Sequence, residues 1–118
     1  MKKYTPHEMA LLKEDLYTAL ARGDLGVREA TRRMRKILGM TQKEYAQKVV
    51  RVSPRILSEF ENGSGNPTLA TLEKIASPFG MKVTFLPPDS WRIRAKDGHG
   101  VKPSLDSPES TKRPQGRT

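Results

Sequence analysis

The stretch TQKEYAQKVVRVSPRILSEFENG, residues 41–63, decides the fold. Its first half opens with Thr41 and carries Glu44 three residues later, a capping box in which each side chain satisfies a backbone N–H group at the start of a helix. Its second half opens with Ser53 and Pro54, an N-cap residue followed by a proline at the first helical position. The stretch therefore predicts two short helices joined by a turn of about four residues.

Two helices joined by so short a turn cannot lie antiparallel and must cross steeply, as in a helix-turn-helix unit. In that unit the first helix braces the second, and the N-terminal half of the second can enter a DNA major groove. Polar side chains cover the outer side of the second helix, where hydroxyl and guanidinium groups suit phosphate oxygens and base edges. From this pattern alone, a small helical domain with an ordinary polar surface remains the alternative interpretation.

Apolar residues at helical spacing predict three further helices around this pair. We expect them at Pro6 to about Arg22, from about Val27 to Leu38, and from the Thr68 cap to about Ser77. The residues expected to face inward are Met9, Leu12, Leu16 and Leu20 in the first helix, Ala30, Met34, Ile37 and Leu38 in the second, Ile56, Leu57 and Phe60 in the fourth, and Leu69, Leu72, Ile75 and Ala76 in the last.

Residues 81–86, MKVTFL, change from helical to alternating periodicity and predict a short β-strand. After residue 86 the chain is rich in Pro, Ser, Gly and charge, and we expect it to be largely disordered in isolation. The predicted organisation is an N-terminal helical extension (1–25), a domain containing the helix pair and the terminal strand (26–86), and a basic tail (87–118).

The formal net charge of +9 and the pI of about 10.1 favour a polyanionic partner, nucleic acid first. Seven Lys/Arg and four Asp/Glu place +3 of this charge in the tail, so both parts of the chain are basic. A basic protein that is merely kept soluble by its charge is the alternative interpretation.

Several classes are disfavoured by residues that the chain lacks. It has no cysteine, which excludes disulfides and Cys-bound zinc, and His7 and His99 have no partners at metal-ligand spacing. No apolar run approaches a membrane span, and the first residues do not resemble a signal peptide. We find no Gly-rich phosphate loop and no paired catalytic constellation, so we expect a cytoplasmic, nucleoid-associated protein that is not an enzyme and has no cofactor, metal or membrane partner.

Residues of about 27–82 resemble the Cro/C1 (XRE) type of helix-turn-helix regulator. The shared pattern is an Arg before LGMTQ, then TQ-x-E-x-A, then S-x-x-x-[IL]-S-x-[FW]-ENG, then P-T-L-x-T-L-x-K-I-A and a closing Gly. The resemblance implies an all-α fold, a compact lambda-repressor-like bundle of four to five helices. To this we add the extra N-terminal helix and the short C-terminal strand, and we expect a dimer that represses transcription from a palindromic DNA operator.

The resemblance also implies roles for individual residues. Arg35 and Glu61 are expected to form a buried ion pair that links helices, and Arg55 is the residue expected to read a base directly, although a plain phosphate contact or a solvated side chain is its alternative. The residues expected to contact DNA are Gln42, Lys43, Ser53, Pro54, Arg55, Ser58, Glu59 and Asn62, and those expected in the core are Tyr45, Ala46, Val52, Leu57 and Phe60.

Four departures from the family pattern bear on DNA reading. The turn VVRVS has one residue more than usual and lacks the usual glycine, so the third helix runs longer or the helices cross at an altered angle. Pro54 stands where a polar base reader is common, and Glu59 either accepts from cytosine or repels phosphate. The loop GSGNPT lacks a basic residue, for which basic residues between Arg28 and Lys36, or in the tail, are expected to compensate.

The sequence FGMKVTFLP resembles the HipB-like subgroup, autorepressors and antitoxins encoded with HipA-type kinase toxins. In that subgroup the strand pairs with its two-fold mate, which implies dimerisation through Met81, Val83 and Phe85. Trp91, among arginines, is a candidate anchor for a protein partner, with local packing or no role as the alternative. Two other functions stay open: a protein-binding adaptor of this fold without strong DNA readout, and non-specific nucleic-acid binding through the tail.

Overall fold

The computed structural model describes residues 2–96, without the side chains of residues 93–96, and the chain divides into two units, Met1–Leu86 and Pro87–Thr118. Residues 2–96 form helices and contain no β-strand. In the first unit, the described residues form α1 (Pro6–Arg22), α2 (Val27–Ile37), α3 (Gln42–Tyr45), which continues as a π-helical turn (Ala46–Val50), α4 (Pro54–Glu61), and α5 (Leu69–Ala76), which continues as a 3-10 turn (Ser77–Phe79). The second unit contributes α6 (Asp89–Lys96).

Helix α1 begins and ends where its capping residues predict. The Thr5 hydroxyl accepts from the Glu8 N–H, the Glu8 carboxylate accepts from the Thr5 N–H, and Gly23 closes the helix in the left-handed conformation with φ 78°. Leu16 is buried, and α1 packs against α2. The Tyr17 hydroxyl also donates to the Phe79 carbonyl at 2.9 Å. The N-terminal helix is therefore an integral part of the first unit.

The core lies between α1, α2, the α3 segment, α4 and α5 with its 3-10 turn. Residues of the predicted inner faces supply most of it, and α4 packs against both α2 and α3. The buried apolar residues are Leu16, Ala30, Met34, Ile37, Tyr45, Ala46, Val50, Leu57, Phe60, Ile75 and Phe79. Val52, also expected in the core, is partly buried at its edge.

Two residues expected to face inward are exposed instead. Ile56 is 43% exposed and Leu69 is 60% exposed. In α4 the buried face consists of Leu57, Phe60 and Glu61, and Ile56 lies about 100° around the helix from Leu57. Leu69 is the first residue of α5, six residues before Ile75, the residue of that helix that is buried in the core.

The strand expected at residues 81–86 is not formed within the single chain. The alternating pattern is present, but a strand also needs a partner for its backbone hydrogen bonds, and no described segment of this chain pairs with it. The alternation therefore leaves Val83, Phe85 and Leu86 exposed.

The expectation of disorder after residue 86 is wrong for residues 89–96, which form α6. The N–H groups of Trp91 and Arg92 both donate to the Pro88 carbonyl, and Arg92 pairs with Asp89 in the first turn. Asp89 also has a favourable sign for the positive end of the helix dipole. Residues 97–118 of the expected tail, with His99, lie outside the described residues.

Candidate nucleic-acid interface

Helix α4 is held so that one side enters the core and the other remains at the surface. The Ser53 hydroxyl accepts from the Ile56 N–H at 3.2 Å, and Pro54 occupies the first helical position, where its missing N–H leaves no hydrogen bond unmade. Leu57 is fully buried, whereas Ser53 and Arg55 are exposed. The start of α4 is therefore the part of this helix that is accessible to a partner.

A buried ion pair ties α4 to α2. Arg35 Nη2 lies 2.9 Å from Glu61 Oε1, and Arg35 Nε lies 3.0 Å from Glu61 Oε2. Gln42 Nε2 donates to Glu61 Oε1 at 3.0 Å, and Arg35 Nη1 donates to the Met40 carbonyl at 3.2 Å. Because the charges are paired and further hydrogen-bonded, the cost of burying them is largely offset. Three helices therefore meet at one carboxylate.

Two more arginines of α2 bind the carboxyl end of α4. Arg28 donates to the carbonyls of Phe60 and Ser64, and its guanidinium carbon lies 4.8 Å from the centroid of the Phe60 ring. Arg32 donates to the Glu61 carbonyl. These cations add hydrogen bonds to carbonyls at and just after the end of α4, where the Phe60 carbonyl also accepts from the Gly63 N–H, and they have the favourable sign for the C-terminal dipole of the helix.

The expectation that residues Arg28 to Lys36 grip phosphate is therefore wrong for Arg28, Arg32 and Arg35, whose guanidinium groups are committed within the chain. Arg33 and Lys36 of the same helix are exposed. Arg33 lies 3.5 Å from a Glu29 carboxylate oxygen, and Lys36 lines a groove between α1 and α2.

The outer side of α4 carries a second ion pair. Arg55 Nε lies 2.9 Å from Glu59 Oε2, one helical turn later, and the Arg55 side chain is 85% exposed. An exposed pair of this kind contributes about 0.3–0.5 kcal/mol. The guanidinium is therefore available to a stronger partner, and the structure brings both expected base-reading residues to one surface.

The other residues expected to contact DNA differ in accessibility. Lys43, Ser53 and Asn62 are exposed, and Gln42, Pro54, Ser58 and Glu59 are half-buried. Asn62 Nδ2 donates to Ser58 Oγ at 3.4 Å, so these two share one site at the end of α4. Gln42 differs from the rest because its amide nitrogen is directed to Glu61, inside the molecule.

The turn before α4 accommodates its extra residue by π-helical hydrogen bonding. The Arg51 N–H donates to the Ala46 carbonyl, five residues back, at 2.8 Å, and the Val52 N–H donates to the same oxygen at 3.0 Å. Arg51 has φ 66° and ψ 46° and takes the left-handed position normally given to glycine. The α3 segment therefore runs longer, which is one of the two alternatives that the sequence predicts.

Arg51 is the exposed cation near α4 that the sequence reasoning missed. The added residue and the missing glycine in VVRVS are the sequence signals for it, but by themselves they predict only a longer helix or an altered crossing angle. The hydrogen bonds of the turn are what identify Arg51 as the residue in the left-handed position.

Hydrogen bonding and burial shift three pKa values around the site. The Thr41 N–H that donates to Glu44 lowers the pKa of that carboxyl, and the Arg32 guanidinium bonded to Glu29 lowers the pKa of Glu29. Burial, with the Glu61 charge in second place, raises the pKa of the Tyr45 hydroxyl. Tyr45 is fully buried, and its hydroxyl has no hydrogen-bond partner in the described part of the chain.

The residues expected to bind protein partners follow α5. Met81 is half-buried, Val83 is 38% exposed, and Phe85 is 96% exposed. Trp91 lies in α6 of the second unit with 52% of its surface exposed. Helices in residues 2–96 are either too short or too polar to cross a membrane.

A family model described as helix-turn-helix matches residues 32–86, which include the α3 segment, the turn and α4. The match supports the Cro/C1 type of regulator and, with it, a DNA-binding role in the regulation of transcription. No curated protein matches the chain, and no solved structure matches it.

Proposed function

We propose that this protein, with its helix-turn-helix match over residues 32–86, is a sequence-specific transcriptional repressor that binds a palindromic operator as a dimer. The observation that carries the proposal is the placement of α4, which is anchored by Glu61 at its carboxyl end and exposes Arg55 near its amino end. A helix anchored in this way can enter a major groove with its first turn foremost.

In the proposed complex, Arg55 reads guanine through its O6 and N7 atoms, the commonest specific contact of arginine with DNA. Glu59 either accepts a hydrogen bond from cytosine N4 or stays paired with Arg55 and limits its reach. Pro54 offers an apolar contact, for example to a thymine methyl group. The residues proposed to position the DNA backbone are Gln42, Lys43, Ser53, Ser58 and Asn62.

The dimer is proposed to form through residues 81–86. Phe85 is almost fully exposed, and no segment within residues 2–96 pairs with the backbone around it, so a second copy of the same segment would supply both the hydrogen bonds and the apolar cover. Two α4 helices in such a dimer would read half-sites about 10 base pairs apart, or a multiple of that distance.

Footprinting on the DNA upstream of the protein's own gene tests the repressor proposal. We expect a protected palindrome that survives excess competitor DNA, because specific binding outlasts competition whereas purely electrostatic binding does not. Absence of a protected site at protein concentrations that saturate non-specific duplex would refute autorepression.

The antitoxin role is a finer proposal that rests on the resemblance of residues 79–87 to HipB-like proteins. It predicts that the adjacent reading frame encodes a HipA-type kinase and that the two proteins co-purify. Trp91, exposed on α6, is the proposed anchor for that kinase. An adjacent frame without kinase motifs, or a kinase that does not bind, would remove this proposal and leave the repressor proposal intact.

One observation favours a second candidate, the protein-binding adaptor. The Gln42 amide is bonded to Glu61, and the Arg55 guanidinium is bonded to Glu59, so two groups expected to read DNA already have acidic partners inside the chain. The adaptor predicts equal and weak affinity for every duplex sequence, whereas the repressor predicts a strong preference for the protected site.

A further inference from the structure

Arg51 adopts the left-handed backbone conformation, which is unfavourable for any residue that has a Cβ atom. It is the one non-glycine residue among residues 2–96 with positive φ, and the hydrogen bonds from Arg51 N and Val52 N to the Ala46 carbonyl hold it there. Val50 before it is 2% exposed and Val52 after it is half-buried, so the turn is anchored on both sides. Arg51 itself lies at the surface.

A residue with a Cβ atom is disfavoured in the left-handed region by about 1–2 kcal/mol, a cost that glycine avoids. Elsewhere in residues 2–96 this chain uses glycine for the same purpose. The positions with positive φ there are Gly23, Gly39, Gly63, Gly65 and Gly80. Arg51 is therefore an exception, because the other positive-φ positions in residues 2–96 are all glycines.

Nothing within the described residues offsets that cost through the side chain. The guanidinium of Arg51 makes no hydrogen bond or ion pair there, whereas those of Arg28, Arg35 and Arg55 all do. Strain that persists without an internal compensation points to a role in binding. A free guanidinium can donate to two oxygens of one anion at once, as a carboxylate or a phosphate presents them.

Arg51 stands two residues before Ser53, at the entrance to the helix that is proposed to read DNA. The π-helical turn places it there, since the hydrogen bond over five residues accommodates the residue that a standard turn would lack. When a recognition helix lies in the major groove, the segment before it passes close to the sugar-phosphate backbone.

We propose that Arg51 binds a backbone phosphate of the DNA duplex beside α4, an inference that rests on the proposed DNA-binding function. The contact fixes the orientation of α4 on the duplex and carries no sequence information. In this proposal, the favourable interaction of Arg51 with phosphate in the complex offsets the free energy that its strained backbone costs the free protein.

The full-length chain and a 30-base-pair duplex of mixed sequence test this inference. Arg51→Asn removes the charge and suits the left-handed region, whereas Arg51→Lys keeps the charge and the strain. We expect Arg51→Asn to bind several-fold more weakly at about 0.1 M salt, and the slope of log affinity against log salt to become shallower by about one. Thermal unfolding of Arg51→Asn should occur at the same temperature as in the wild type or a higher one.

Lys74→Gln is the matched control, because it removes one exposed cation from α5, outside the helix-turn-helix pair. It should leave the salt slope unchanged, as should Arg51→Lys. If the Arg51→Asn slope and affinity equal those of the wild type, the phosphate contact is refuted while DNA binding stands. If Arg51→Asn unfolds at a clearly lower temperature, Arg51 stabilises the fold and the inference also fails. A wild type that binds no duplex instead refutes the proposed function itself.

Discussion

Arg35 and Glu61 are joined by three hydrogen bonds, from Nη2 to Oε1 at 2.9 Å and from Nε to Oε2 at 3.0 Å and Oε1 at 3.3 Å, and the Glu61 side chain has no exposed surface. The pair connects the helix that precedes the helix-turn-helix unit with the carboxyl end of α4. Because separating buried charges is costly, this pair restricts α4 to one orientation relative to α2. The surface that α4 exposes depends on that orientation.

Removal of one partner should destabilise the fold strongly. We expect Glu61→Ala to lower the free energy of unfolding by about 3–5 kcal/mol, because it leaves the Arg35 charge buried without a counter-charge. The double change Arg35→Met with Glu61→Leu should recover much of the loss, since it removes both charges and keeps the volume. Urea denaturation at pH 7 measures both. Glu29→Ala, at an exposed pair, should cost about 1 kcal/mol or less, and a loss as large as that of Glu61→Ala would contradict the assignment.

Tyr45→Phe should leave the fold intact and stabilise it by about 1–3 kcal/mol. The Tyr45 hydroxyl is buried and has no hydrogen-bond partner among the described residues, so its removal eliminates the cost of desolvating that group. Urea denaturation at pH 7 provides the measurement, and Tyr17→Phe is the matched control. That change removes a hydroxyl that donates to the Phe79 carbonyl and should destabilise by about 0.5–1.5 kcal/mol. A destabilised Tyr45→Phe protein would show that the buried hydroxyl is satisfied in solution.

The same residue predicts a difference between wild type and variant in alkali. The pKa of Tyr45 is raised in the folded state, so folding favours its neutral form. The stability from this group is complete below the unfolded tyrosine pKa of about 10 and decreases as the pH rises above it. The wild type should therefore lose stability faster than Tyr45→Phe above about pH 10. Parallel denaturant titrations between pH 8 and 11 measure the difference, and parallel curves would contradict the prediction.

Local signals in the sequence predicted the helices well, because the caps act over only a few residues. Thr5 with Glu8 and Thr41 with Glu44 form the expected capping boxes, and the Ser53 hydroxyl caps α4 as expected. Such contacts depend on spacing along the chain, and the sequence contains that spacing. For this reason the sequence predicts where a helix starts more accurately than it predicts what the surface of that helix binds.

The partners of long polar side chains could not be predicted in the same way. Arg28 and Arg32 lie in the stretch whose basic residues are expected to contact phosphate, yet they bind carbonyls at the end of α4. The sequence predicts a phosphate contact for Gln42 but gives no sign of the hydrogen bond that its amide makes to Glu61 within the chain. Long side chains reach groups that tertiary packing brings near, and the spacing of residues does not encode those distances.

Helix α6 was missed for the opposite reason, because composition averages over a long stretch of chain. The composition after residue 86 predicts disorder, but a favourable N-terminal Asp89 and bonds to the Pro88 carbonyl suffice for the two turns of α6. The strand that the alternation in residues 81–86 predicts needs a partner outside the single chain, so it stays a prediction.

Phe85→Ser should convert the proposed dimer into a monomer without unfolding it. Phe85 is 96% exposed in the single chain, so the change removes apolar surface from water and little packing from the core. Sedimentation velocity should show half the mass of the wild type at the same concentration, with an unchanged circular dichroism spectrum. Tyr4→Ser is a control for the loss of a half-buried aromatic side chain at the other end of the first unit. A monomeric wild type, or a variant that remains dimeric, would refute dimerisation through this segment.

The Arg55–Glu59 pair gives opposite predictions for its two members. Arg55→Ala should lower affinity for the protected operator by about 1–3 kcal/mol and affinity for mixed-sequence duplex far less, because a guanine contact discriminates among bases. Glu59→Gln should raise affinity for mixed-sequence duplex, because it removes a carboxylate that repels phosphate and frees the Arg55 guanidinium. Glu73→Gln, an equal change of charge at an exposed position of α5, should have a smaller effect. Fluorescence anisotropy with both duplexes at fixed salt measures all three, and equal losses for Arg55→Ala on both duplexes would reduce Arg55 to a phosphate contact.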